Sequence, residues 1–139
     1  EKAVIREVKE ELDLDARALG RTGSIGYLGE VERPIDCATT EERQKAEKRL
    51  QFHRRAGAII LPVPFTEPVM IEGVDYFSPE DVKDEMPRPM YLLFNPSRHG
   101  REIPNLDLVG FVLGIYLDVY LLPRDHEYVW HSLSYLLGE

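Results

Sequence analysis

Cysteine is almost absent from this sequence: Cys37 stands alone in 139 residues. One thiol cannot close an intramolecular disulfide, which excludes the small disulfide-stapled scaffolds and also a zinc centre built from several thiolates. With no His close by and no C-x-x-C partner, Cys37 also lacks the setting of a nucleophile. Basic charge is in short supply: 17 Lys and Arg face 25 Asp and Glu, for a formal charge of -8. A field of that sign repels nucleic-acid backbone and anionic lipid, so bulk DNA binding is excluded. The longest apolar run, 108–117, falls far short of the roughly 18 residues a bilayer crossing needs, and no membrane span is expected. Glycines at 20–29 do not spell a phosphate loop, since neither Gly-Lys-Ser/Thr nor G-x-G-x-x-G occurs. The chain starts at Glu1 without a charged-then-apolar leader, and it reads as a fragment or processed chain of an intracellular, cytoplasmic protein.

What is present is the balance of a globular fold, 43% hydrophobic and 30% charged, at the size of one ordinary domain. Residues 1–14 are helical in pattern, with Val4, Ile5, Val8 and Leu12 spaced by threes and fours. Residues 25–31 alternate as a strand. Thr39 or Thr40 caps a charged helix over 40–55 that Gly57 stops. Pro62 and Pro64 demote 58–65 to an edge strand, Ser78 and Pro79 start a short helix, 90–94 is β-like, and 95–105 reads as a loop. From Val109 to Leu121 every odd position is apolar, which predicts a strand with one core face. After a turn at 123–125 and a β-like Tyr128 to Trp130, Ser132 opens a terminal helix. The expected core is Val4, Val8, Leu12, Val109, Phe111, Leu113, Ile115 and Leu117, with Trp130 packed beside it.

The run Arg6, Glu7, Val8, Lys9, Glu10, Glu11, Leu12, Asp13, Leu14 carries the most chemistry. On a helix Glu7 and Glu11 lie one turn apart with Glu10 beside Glu7, so three carboxylates share a ledge expected at the border of the buried face. Neighbouring like charges are unfavourable, and a hard divalent cation with oxygen ligands, such as magnesium, offsets them. The plain alternative is a solvated acidic face with Arg6–Glu10 and Lys9–Asp13 as i,i+4 pairs.

In this order the residues resemble the second half of the Nudix box, G-x5-E-x7-R-E-U-x-E-E-x-G-U, where U is bulky and aliphatic. Arg6, Glu7, Val8, Glu10, Glu11 and Leu14 match, Asp13 stands where Gly is usual, and the earlier Gly and Glu would fall before Glu1. More loosely, 109–121 followed by Glu127, Trp130 and Leu133 is similar to the family's closing strand, loop and helix. The resemblance implies an α/β fold, the Nudix-type α/β/α sandwich with a mixed sheet. The chain would be one partial domain over 1–139, truncated at its N-terminus and carrying an insertion at 33–105. A helix over 109–121 would overturn that sandwich.

The resemblance also implies a metal-dependent pyrophosphatase: hydrolysis of a nucleoside diphosphate linked to another group, with Mg2+ or Mn2+. Glu7, Glu10 and Glu11 would be metal ligands or orient water, Arg6 would hold a ligand carboxylate, and Glu127 or Asp125 would supply a base from a later loop. The alternative is a catalytically inactive Nudix-like binding or scaffold module. Its docking surface would be the locally basic helix 40–55, where Arg43, Lys45, Lys48, Arg49, Arg54 and Arg55 outnumber Glu41, Glu42 and Glu47 and suit a protein or RNA partner. A solvated helix face accounts for the same charges. His53 belongs with that helix, while His99, His126 and His131 show no metal-ligand spacing.

Overall fold

The computed structural model describes residues 2–68, 88–97 and 105–138. Its first helix, α1 (Lys2–Ala18), forms because neither Gly nor Pro interrupts the first 18 residues. The stripe it turns inward is Ile5, which is buried, with Lys9, Leu12, Asp13 and Ala16 half-buried, at helical spacings of four, three, one and three. This corrects the expected core: Val4 and Val8 are 61% and 41% exposed, because the packed stripe is rotated away from them. Strand β1 (Gly26–Glu32) follows, burying Val31, and a single 3-10 turn at Pro34–Asp36 leads to α2 (Thr40–Arg55). Thr39 caps α2 by accepting a hydrogen bond from the Glu42 amide at 3.1 Å. Gly57, at φ +100, takes the left-handed turn that ends the helix. Only Ala46 and Leu50 of α2 are buried, so the helix packs through a narrow stripe, as its composition predicts.

Pro62 and Pro64 do interrupt the next β segment, leaving β2 (Ile59–Ile60) and β3 (Phe65–Glu67) on either side of them. Strand β4 (Arg88–Pro96) extends the predicted 90–94 in both directions. Two compact units divide the chain, one of Glu1–Leu61 with Leu92–Glu102, the other of Pro62–Tyr91 with Ile103–Glu139. In the first, β4 is hydrogen-bonded between β1 and β2, with Ile59 opposite Phe94 and Ile60 opposite Leu93 in antiparallel register. In the second, β3 pairs antiparallel with the start of β4, Phe65 facing Met90. The class is therefore mixed helix and antiparallel sheet. The short helix expected after Ser78 and most of the loop at 95–105 lie outside the described residues.

Residues 109–121 overturn the strongest strand prediction. As far as Val119 they are helical: α3 (Asn105–Leu113) runs into a wider π turn at Gly114–Val119, closed by Tyr120 N–H to Ile115 O at 3.0 Å. The physical reason lies in a second periodicity. Leu108, Val112, Ile115 and Tyr116 are the buried members, spaced four, three and one, and that stripe competes with the odd-position alternation in a run too long for an ordinary strand. Of the expected core in this stretch, Ile115 is buried, while Val109, Phe111, Leu113 and Leu117 are half-buried. The sandwich drawn with 109–121 as a strand falls with it.

The last helix, α4 (Glu127–Leu137), starts five residues earlier than Ser132. Its cap is His126, whose Nδ1 accepts the Tyr128 amide at 3.2 Å, and Gly138 ends it in the left-handed region. That start turns Val129 and Ser132 inward and leaves Trp130 55% exposed, against the expectation that it is core. Ser132 Oγ donates to the Pro64 carbonyl at 2.7 Å.

Two substitutions test this packing. A Cβ at Gly26, where φ is +146, would run into the Asn95 carbonyl and the Phe94 ring. Gly26→Ala is expected to cost about 3 kcal/mol in urea unfolding, from overpacking and backbone strain together, while Gly29→Ala, which meets nothing, stays near wild type. In the second unit, the buried Tyr116 hydroxyl accepts from Thr66 N–H at 3.0 Å and donates to Thr66 O at 3.1 Å. Tyr116→Phe leaves both strand groups unpaired and is expected to cost about 2 kcal/mol by the same measurement.

Candidate functional site

The charged half-box lies entirely on α1, and the roll of that helix decides what it can do. Four polar contacts set the roll and the turn that follows. Lys9 Nζ donates to the Pro96 carbonyl at 3.1 Å, and Asp13 Oδ1 accepts from the Ser24 amide at 2.8 Å. The hydroxyls of Ser24 and Ser97 meet at 3.1 Å, and Ser97 N–H donates to Ile25 O at 3.0 Å. Ile5 supplies the apolar anchor. Lys9 and Asp13 are thus engaged with Pro96 and Ser24, so they tie the helix to its neighbours and are not merely solvated. Among the described residues Arg6 and Glu10 do not lie within ion-pair distance.

With the helix so fixed, Arg6, Glu7, Glu10 and Glu11 are all exposed. About 100° separates successive residues, which places Glu7 and Glu11 opposite Ile5 and Ala16 and puts Glu10 next to them. The ledge is therefore on the outer side of α1, not at the border of the buried face. Leu14 is also on that side, 58% exposed.

A hard divalent cation asks for anionic oxygen donors that can converge. The donor chemistry of Glu7, Glu10 and Glu11 fits, and their solvent access leaves the side chains free to adjust. As placed, no group of three or more His, Cys, Asp or Glu among the described residues is gathered closely enough to hold an ion. Glu127 and Asp125 belong to the other unit: Asp125 is in the turn before α4 and Glu127 in that helix's first turn, both exposed. Burial and, behind it, the Glu127 carboxylate push the neighbouring Tyr128 phenol above its usual range, so Tyr128 stays neutral.

The basic helix carries a feature that charge counting misses. A cavity of about 660 Å³ runs along α2, its described wall formed by Gln44, Glu47, Lys48, Gln51, Phe52, Arg55 and the following Ala56. Two of those groups are neutral amides and one is aromatic, so only their common spacing on the helix could have brought them to notice. Cys37 is half-buried, with its thiol directed at the Arg33 carbonyl at 3.7 Å.

Comparison of the chain with known protein families, curated proteins and solved structures finds no match in any of the three.

Asp13 is the residue that departs from the Nudix pattern, and its bond to Ser24 gives it a structural task. Asp13→Ala is expected to lower stability by about 1 to 2 kcal/mol and to speed hydrogen exchange at the Ser24 amide. Asp13→Asn keeps the accepting oxygen and should retain most of that protection.

Proposed function

We propose that the protein is a metal-dependent hydrolase of the Nudix type, cleaving the diphosphate of a nucleoside diphosphate joined to another group. The observation that carries the reading is the placement of Arg6, Glu7, Glu10 and Glu11: all four charged positions of the half-box sit on one unbroken helix, exposed, while other residues do the packing. In this reading α1 and the sheet of β1, β4 and β2 are the family's part of the chain, and the helical stretch 105–137 is not.

Glu7, Glu10 and Glu11 would hold Mg2+ or Mn2+, which supplies Lewis-acid neutralisation of the diphosphate and makes water acidic enough to attack near neutral pH. Arg6, on the same face, would orient a neighbouring carboxylate by charge-assisted hydrogen bonds from its guanidinium fork. Lys9 and Asp13 act at one remove. By tying α1 to Pro96 and Ser24 they keep the carboxylates turned toward solvent, where a phosphorylated substrate can reach them.

The test has two arms. Calorimetric titration with Mn2+ should show affinity falling at least tenfold in Glu11→Gln, since the ion loses an anionic ligand. Incubation with Mg2+ and a panel of nucleotide sugars, dinucleoside polyphosphates, ADP-ribose and capped RNA should show diphosphate cleavage that disappears in Glu10→Gln. Equal metal affinity in wild type and Glu11→Gln, with no turnover of any panel member by folded protein, would leave the non-catalytic binding module as the better reading.

A further inference from the structure

The cavity along α2 is built from a part of the molecule the proposed hydrolysis does not use. Gln44, Lys48, Gln51 and Arg55 recur at spacings of four, three and four, which aligns them in one stripe, on the side of α2 away from the buried Ala46 and Leu50. Two other cations of the helix are occupied, Lys45 by Glu41 at 3.2 Å and Arg49 by Glu32 at 2.6 Å, while Arg43 and Arg54 lie off the stripe. Lys48 and Arg55 have no ion-pair partner among the described residues. The end of the stripe is tied to the sheet, because the Ala56 carbonyl accepts a hydrogen bond at 3.3 Å from the side chain of Asn95, which is buried.

We propose that this face of α2 binds a small organic polyanion whose two phosphate groups stand about 10 Å apart with hydroxyls between them, as in a sugar bisphosphate. Three features select that chemistry. First, Lys48 and Arg55 are seven residues apart, about 10.5 Å along the helix axis, so each can meet its own phosphate. Second, Gln51 lies between them and Gln44 one turn before Lys48. Each amide both donates and accepts, which is what a hydroxyl needs, and Glu47 adds an acceptor alongside. Third, Phe52 is half-buried at the edge of the stripe and offers a flat apolar surface to the carbon-bound hydrogens of a sugar. The cavity volume, about 660 Å³, is in the range of small-molecule sites and leaves room for such a ligand. This binding does not depend on α1 being catalytic.

The probe is fructose 1,6-bisphosphate, titrated calorimetrically into the protein in EDTA so that metal on α1 takes no part. Fructose 6-phosphate, inorganic phosphate and a short single-stranded RNA are the comparisons. The bisphosphate should bind at least roughly tenfold more tightly than the monophosphate, and Lys48→Gln and Arg55→Gln should each weaken it about tenfold. Arg54→Gln, on the same turn but off the stripe, should bind as wild type does. Circular dichroism of the three variants should be unchanged, since the substituted side chains are exposed. The proposal is overturned by an absence of binding, by equal affinity for the mono- and bisphosphate, by an Arg54→Gln loss as large as that of Arg55→Gln, or by RNA binding more tightly than the bisphosphate.

Discussion

Leu92, Leu93 and Phe94 stand one after another in β4, and all three are shut off from water. Successive side chains of a strand point to opposite faces, so a run of this kind demands cover on both. At about 1.5 to 3 kcal/mol for each fully buried large side chain, this is among the largest local contributions to the first unit. Its neighbours follow from it. β1 and β2 satisfy the strand's backbone on either side, α1 and α2 both pack against β1, and Gly26 is bare because the Asn95 carbonyl and the Phe94 ring leave no room for a Cβ. Asn95, the next residue, is buried as well and uses its amide on Ala56 O and, at 3.2 Å, on the Tyr27 hydroxyl, so the strand also fixes the end of α2.

The second unit solves a different problem. Its helical run 105–119 is apolar almost all round, and such a run needs a polar fixture to hold it in one register. Tyr116 supplies it. The ring stacks on Phe65 with centroids 5.1 Å apart, and the hydroxyl takes up both backbone groups of Thr66. Widening the helix to a π turn over Gly114–Val119 is part of the same local arrangement, and the chain leaves it through Leu121 at a positive φ of 57. Ser132 on the Pro64 carbonyl repeats the device on α4: one hydroxyl, buried, aimed at a backbone oxygen that the prolines had kept out of a strand.

Legibility in the sequence followed the strength of local signals. The bounds of α2 could be read because Thr39 and Gly57 mark its ends chemically, and the break between β2 and β3 because prolines cannot donate. The stretch 109–121 carries two periodicities at once, the odd-position alternation and the stripe 108, 112, 115, 116, and only packing decides between them. Trp130 is illegible for a separate reason: the cap of α4 is His126, an unusual capping residue, while Ser132 offers the more familiar signal, and the five-residue difference in start turns the tryptophan outward. On α1 the helix was legible but its roll was not. Both Val4–Val8 and Ile5–Leu12 are apolar pairs at helical spacing, and the choice between them rests on Lys9 reaching Pro96 and Asp13 reaching Ser24, contacts 87 and 11 residues away in sequence. The cavity on α2 was invisible for a related reason, since a stripe of amides and cations reads as solvated surface until a concavity is found beside it.

That roll bears directly on how the acidic residues of α1 should be understood. Positions 5, 9, 12, 13 and 16 carry the packing and the polar ties, so the fold constrains those five. It places no comparable demand on 6, 7, 10 and 11. A helix face whose only task is solubility is served by any mixture of Glu, Lys, Gln and Arg, and it gains a few tenths of a kcal/mol from spacing opposite charges at i,i+4. Here Glu7 and Glu11 are like charges at that spacing, with Glu10 adjacent, and Arg6, although at i,i+4 to Glu10, is not within ion-pair distance of it among the described residues. Accumulated negative charge at positions the fold leaves free costs stability and returns none. A divalent cation would offset that repulsion, and this is what the proposed function asks of the outer face of α1.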